Sequence, residues 1–228
     1  MSTLKEMRDV IIDDLDLYEE DFVTSEDIDR LINIAIKKAE STIHKMSDTY
    51  FLSYLEVAIT SASNKVDYPT DIYANKIKKI VFDDNNGAAY TVKKVRELDK
   101  ATGADINDPS ADSTLTWLPV NVTGEGKKIQ LFPYTSAAGT LHIWYIRSAV
   151  KLVADSDVLD IEEFEDYIIS IVKTKILLKD GDDRAVDEKA LEKELFFSME
   201  STLNDMVVDD DDDRVLLDMS HYNDSVGC

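Results

Sequence analysis

The sequence predicts an α+β fold: a helical layer from both chain ends, an inserted antiparallel β-rich domain, and an extended acidic C-terminal tail. Three observations carry that expectation. Near both ends apolar residues recur every three or four positions, the period of a helix, whereas the middle is rich in aromatic and β-branched residues. Turn-forming clusters punctuate the middle. Charge follows the same boundaries: residues 1–50 carry 6 basic and 13 acidic side chains, residues 51–150 carry 11 of each, residues 151–208 carry 7 and 16, and residues 209–228 carry 1 and 7. Four segments result: N-terminal helices (1–50), a β-rich insertion (51–150), C-terminal helices (151–208) and the acidic extended tail (209–228).

A first short helix is expected over residues 4–15. A longer one follows, with Ile28, Leu31, Ile32, Ala35, Ala39, Ile43 and Met46 on one stripe. Thr24 is its N-cap, Asp27 stands at N3, and Val23 and Ile28 occupy the staple positions. The insertion opens with a strand over 50–60. A strand over 77–82 then runs into the turn cluster Asp83-Asp84-Asn85-Asn86-Gly87, and residues 90–95 resume. Residues 98–114, rich in Asp, Asn, Ser, Thr and Pro, form a long loop. Val120-Asn121-Val122 and Ile129-Gln130-Leu131-Phe132 flank Gly124-Glu125-Gly126, a hairpin turn. Residues 140–150 alternate Leu141, Ile143 and Tyr145 with His142, Trp144 and Ile146, apolar enough to be covered on both faces. The second long helix is expected to open at Asp160 as N-cap, with Glu163 at N3 and Leu159 and Phe164 as staple. It runs through Ile168, Ile171, Val172 and Ile176 to a C-cap at Gly181, and its broad apolar face needs neighbours on two sides. A last helix carries Leu191, Leu195, Met199, Leu203 and Met206.

Composition narrows the function. A net charge of −22 repels phosphate, so a sequence-reading DNA binder is disfavoured. The one cysteine, Cys228, permits no intrachain disulfide, and the chain does not belong to the disulfide-stapled secreted class. No charged-then-apolar leader is evident at Met1 and no apolar run approaches membrane-spanning length, so a cytoplasm-like site of synthesis is expected.

No catalytic, cofactor-binding or metal-ligating residue emerges. Glu40 and His44 are four apart, where the di-iron bundle pattern wants three. His44 is placed on the polar edge of its helix, His142 in a strand, and His221 in the tail. Gly124-Glu125-Gly126-Lys127-Lys128 lacks the glycine spacing and the Ser or Thr of a phosphate loop. Asp155-Ser156-Asp157-Val158-Leu159-Asp160 lacks the Gly and Glu of a calcium loop, and residues 83–87 fail similarly. The aspartates 209–213 read as a solvated linker or docking arm. Lys76, Lys78, Lys79, Lys93, Lys94, Arg96, Lys127 and Lys128 are the only basic concentrations. They read as solvated strand faces and turns, the alternative being a patch that meets an acidic surface or passing DNA.

The order of features is itself informative. Tyr68-Pro69-Thr70-Asp71-Ile72-Tyr73 precedes a strand. Lys128-Ile129-Gln130-Leu131-Phe132-Pro133 and Ala138-Gly139-Thr140-Leu141-His142-Ile143-Trp144-Tyr145-Ile146-Arg147 follow. An acidic stretch then leads to Phe164-Glu165-Asp166-Tyr167-Ile168-Ile169, and a helix ends at Lys179-Asp180-Gly181-Asp182-Asp183. Over roughly residues 20–205 this resembles the head-to-tail connector proteins of tailed bacteriophages, the adaptors and tubular-tail adaptors. The resemblance implies a non-enzymatic structural virion protein of the neck or tail, assembled in the bacterial host cytoplasm. It would form a homo-oligomeric ring of twelve copies beneath the portal protein, contact a downstream tail or tail-tube protein, and line a lumen through which viral DNA passes without sequence-specific binding. No cofactor and no membrane partner are implied. The strong acidity and the 98–114 loop depart from the pattern. Acidic helices lining the channel would repel DNA, with Glu162, Glu163 and Glu165 as candidates, and the apolar faces of 161–178 and 185–206 are candidates for the contact between copies. Rival readings are another tail or baseplate ring component, an acidic module that mimics DNA, and a metal-dependent enzyme.

Overall fold

The computed structural model describes residues 2–18, 22–60, 65–84, 89–94, 116–132 and 138–212. Residues 85–88, the 98–114 loop, Arg96, His221, Cys228 and the tail beyond Asp212 lie outside these. The chain divides into two compact units, a helical one formed by residues 1–50 and 149–228 and a β one formed by residues 51–148.

The helical unit holds α1 (Leu4–Leu15), α2 (Ser25–Met46), α3 (Glu165–Asp180) and α4 (Arg184–Asp212). A capping box starts α1: the Thr3 hydroxyl accepts from the Glu6 N–H at 3.2 Å, and the Glu6 carboxylate accepts from the Thr3 N–H at 2.8 Å. Its buried residues, Leu4, Met7, Ile11 and Leu15, share one face. Thr24 caps α2 as the sequence predicts, accepting from the Asp27 N–H at 3.2 Å, with Val23 and Ile28 both buried. The buried stripe of α2 is wider than expected. Ile36, Glu40 and His44 join it, so His44 is not on a polar edge. The cause is Glu40, whose Oε1 accepts the Ala149 N–H at 2.9 Å where the chain re-enters this unit, and His44 Nε2 sits 3.6 Å from the same oxygen.

The expected N-cap at Asp160 is also corrected. Its Oδ2 accepts from the Val150 N–H at 3.2 Å, and α3 begins instead through a 3-10 turn, Glu162–Phe164, with no side-chain cap. Tyr167, Ile168, Ile169, Ser170, Ile171, Val172, Thr174, Ile176 and Leu177 are all buried, so α3 is covered nearly all round and packs on α1, α2 and α4. Gly181 ends it at φ 79°, a left-handed backbone that suits glycine. No Gly or Pro interrupts the chain from Arg184 to Asp212, and residues 209–212 continue α4 as helix rather than extended tail.

The β unit contains two four-stranded sheets. Strands β1 (Leu52–Ile59), β8 (Gly139–Arg147), β3 (Ile72–Asp83) and β4 (Ala89–Thr91) form one, in that spatial order. Strands β2 (Lys65–Asp67), β7 (Gly126–Phe132), β6 (Thr116–Val122) and β5 (Lys93–Lys94) form the other. All pairs are antiparallel except β5 with β6. The chain changes sheet at Val92, whose N–H still bonds the Ile80 carbonyl at 2.9 Å and whose side chain is buried. Ile80, Phe82, Leu141, Ile143 and Tyr145 from one sheet meet Val66, Trp117, Ile129 and Leu131 from the other in a single core. The expected hairpin at 122–126 is present, with Gly124 and Gly126 at φ 82° and 81°. The strand β8, expected to be covered on both faces, is so only at its end: Leu141, Ile143 and Tyr145 are buried in the core, and on the other side His142 and Trp144 stay half-buried while Ile146 is buried.

Candidate interaction surfaces

The carboxylates singled out in the sequence mostly fasten the helical unit. Asp157 Oδ2 accepts the Val153 and Ala154 N–H groups at 2.7 and 2.8 Å, and these bonds hold its carboxyl below the usual range. Asp155 Oδ1 accepts from Arg8 at 2.8 Å, and the carbonyls of Asp157 and Asp155 accept the N–H groups of Leu4 and Lys5. The calcium-like run is therefore a clamp on the start of α1. Arg8 also makes a two-point bridge to Asp29, with Nε–Oδ1 2.7 Å and Nη2–Oδ2 2.8 Å, which raises the guanidinium pKa further. Sequence reasoning missed this bridge and a second link. Asn33 Nδ2 donates to the Leu152 carbonyl at 2.8 Å while its Oδ1 accepts the Leu152 N–H at 3.0 Å. A polar residue directly beside the apolar stripe of α2 was the one available signal.

Of the proposed channel-facing acids, Glu162 and Glu163 are exposed and Glu165 is half-buried. Glu163 accepts the Tyr50 hydroxyl, and Glu165 accepts the Ser2 hydroxyl at 2.6 Å. The broad apolar face expected of residues 161–178 is consumed inside the unit, with Leu178 at 58 % exposure the exception. The last helix is different. Ala185, Met199 and Leu203 are buried, while Val186 (74 %) and Phe197 (55 %) lie eleven residues apart on one line of the helix, about a third of a turn away from them. Lys193 Nζ lies 5.7 Å from the Phe197 ring centre.

Several basic side chains of the β unit have partners of their own. Lys79 lies over Trp144 at 5.5 Å, Lys76 over Tyr73 at 5.7 Å and Lys94 over Trp117 at 5.3 Å. Lys128 pairs with Glu125 at 2.8 Å and Asp67 at 3.1 Å. Near Lys79, Tyr54 packs on Trp144 with ring centres 5.1 Å apart and bonds Glu56 at 2.5 Å, which pushes its hydroxyl pKa up to about 12. His142 lies against the Tyr54 ring and 3.6 Å from Glu56. These contacts describe a strand face stabilised by its own aromatic and charged pairs.

Among the described residues no group of three or more His, Cys, Asp or Glu is placed to hold a metal, and no helix is long and apolar enough to cross a membrane. What the chain presents is surface: acidic helices, an apolar stripe on α4, and grooves in each unit.

The sequence matches the family model described as SU10 adaptor protein over residues 2–219, and the chain belongs to that family. It is therefore a structural protein of the phage adaptor type and a virion component. No curated protein matches it.

Proposed function

We propose that the chain is the subunit of a head-to-tail adaptor ring that docks on the portal protein, joins it to the tail and lines the DNA exit channel. The observation that carries this reading is the second apolar stripe of α4. Val186 and Phe197 stand exposed, as do Leu191 and Met206, on a helix whose Ala185, Met199 and Leu203 are already buried. A closed ring needs such a surface, because each subunit must offer one face to the copy before it and another to the copy after. Acidity supports the channel role: carboxylates along a lumen repel phosphate and leave passing DNA unbound. Twelve copies, a downstream tail protein and assembly in the host cytoplasm complete the reading.

Negative-stain imaging of the full chain, alone and mixed with portal, tests it. A ring or a portal-bound collar is the expected result, and a monomer indifferent to portal would overturn the proposal. Lumen exposure is tested separately with Glu162→Lys, Glu163→Lys and Glu165→Lys combined. Circular dichroism verifies folding first, because Glu163 and Glu165 hold Tyr50 and Ser2. Genome ejection should slow in particles carrying the triple variant. Unchanged ejection kinetics would place these acids away from the channel.

A further inference from the structure

Along α2 and the chain at 150–153 runs a groove of about 410 Å³, lined among others by Asp29, Arg30, Ile34, Lys37, Lys151 and Val153. Its apolar part is open. Ile34 is 39 % exposed and Val153 74 %, with Val150 beside them at 48 %. Glu26 stands at one end of the rim, Asp29 is bridged by Arg8 and Arg30 is paired with Asp27, whereas Lys37 and Lys151 have no ion-pair partner among the described residues, so the two lysines outweigh the one remaining carboxylate. The chain carries a net charge of −22, yet this apolar groove is edged by two such lysines. It fits a partner that is acidic and apolar together.

The chain contains such a segment. Residues 209–219 read Asp-Asp-Asp-Asp-Asp-Arg-Val-Leu-Leu-Asp-Met, with 6 carboxylates against 1 base and the apolar run Val215-Leu216-Leu217 inside them. The same copy is poorly placed to deliver it. Glu192 on α4 pairs with Lys38, the neighbour of Lys37, and α4 continues from there to Asp212. Those twenty residues carry the helix end about 30 Å away from the level of the groove.

We propose that the groove between α2 and residues 150–153 receives residues 209–219 of a second copy, with the aspartates on Lys37 and Lys151 and the Val-Leu-Leu run on Ile34 and Val153. This rests on the ring reading above, since it assigns one contact between neighbouring copies. The contact is asymmetric, groove on one copy and arm on the next, as head-to-tail closure requires. Being edged by exposed charges, it weakens as salt rises.

Disulfide trapping in full-length chains tests it. In a Cys228→Ser background one chain carries Val153→Cys and the other Leu216→Cys, and the two are mixed and oxidised. The expected product is a cross-linked heterodimer. Its yield should fall about tenfold when the groove chain also carries Lys37→Glu and Lys151→Glu, because two attractive pairs become repulsive. It should recover when the arm chain carries Asp209→Lys, Asp211→Lys and Asp213→Lys. A cross-link that forms only when both cysteines sit in one chain overturns the second-copy assignment. Sedimentation velocity separates the two levels of failure. A chain that self-associates without this cross-link overturns the groove and leaves the ring, whereas one that stays monomeric even with portal overturns both.

Discussion

In the helical unit, polar side chains join segments far apart in the sequence. Asn33 grips Leu152, Glu40 holds Ala149, and Arg8 ties Asp29 to Asp155. The β unit is knitted differently. Its two sheets meet through Ile80, Phe82, Trp117, Ile129, Leu131, Leu141 and Ile143, and its ion pairs lie at the surface. Helices expose backbone groups only at their ends, so a segment such as 150–160 that runs beside them must find side-chain partners. Strands satisfy their neighbours through the ladder and leave the interior to apolar packing. Breaking each unit should therefore require a different kind of substitution.

The contrast can be measured because both tryptophans, Trp117 and Trp144, belong to the β unit. Intrinsic fluorescence reports that unit, and helical circular dichroism reports the other. Ile143→Ala should have the largest effect. The side chain is fully buried between the sheets, and its loss should cost about 3–4 kcal/mol, shifting the fluorescence midpoint in denaturant much more than the helical signal. Equal shifts by both probes would mean that the two units unfold as one, and the comparison would fail.

Two glycines sharpen it further. A Cβ on Gly139 would lie 2.3 Å from the Asp83 carbonyl oxygen and 2.5 Å from the Phe82 ring, where β8 meets β3. Gly139→Ala should destabilise the β unit by about 2–3 kcal/mol through overpacking. Gly181 has open space around its Cβ position but a φ of 79°, so Gly181→Ala should cost only about 1 kcal/mol, from conformation alone, and appear in the helical signal. Reversed magnitudes would show that backbone conformation outweighs packing at these sites.

Asn33→Ala comes next. It leaves a buried residue, Leu152, with an N–H and a carbonyl deprived of their partner, at a cost of about 2 kcal/mol in the helical signal. A neutral result would mean that water replaces Asn33 readily, and the polar fastening would then be incidental.

The two units were also unequally legible. Period and caps located α1, α2 and the Gly181 stop, because Thr24, Asp27 and Gly181 act on residues within four positions of themselves. The hairpin at Gly124 and Gly126 was readable for the same reason. Burial of His44 and Glu40, and the use of Asp160 by Val150, depend on where a distant segment returns, which no local pattern encodes. The switch of sheet at Val92 is likewise a matter of tertiary pairing. The surfaces were half visible. An apolar excess in the last two helices could be counted, but only packing shows that α3 uses its share internally while α4 leaves Val186 and Phe197 outside.

The smallest effect concerns acid. Glu6, Asp27, Asp157 and Asp182, all in the helical unit, have carboxyl pKa values held below the usual range, Glu6 and Asp157 by backbone N–H bonds and Asp27 and Asp182 first by Arg30 and Arg184. A carboxylate with a depressed folded-state pKa contributes stability above its unfolded value, and that contribution disappears as pH falls through the folded one. The helical signal should therefore lose thermal stability below about pH 4, and Asp157→Asn should flatten that acid limb. Glu6 is exposed and the other three are only half-buried, so the shift in midpoint should be a few degrees at most and should shrink in high salt. If the tryptophan signal carried an equal acid limb, the charged fastening assigned to the helices would have to be shared by the strands.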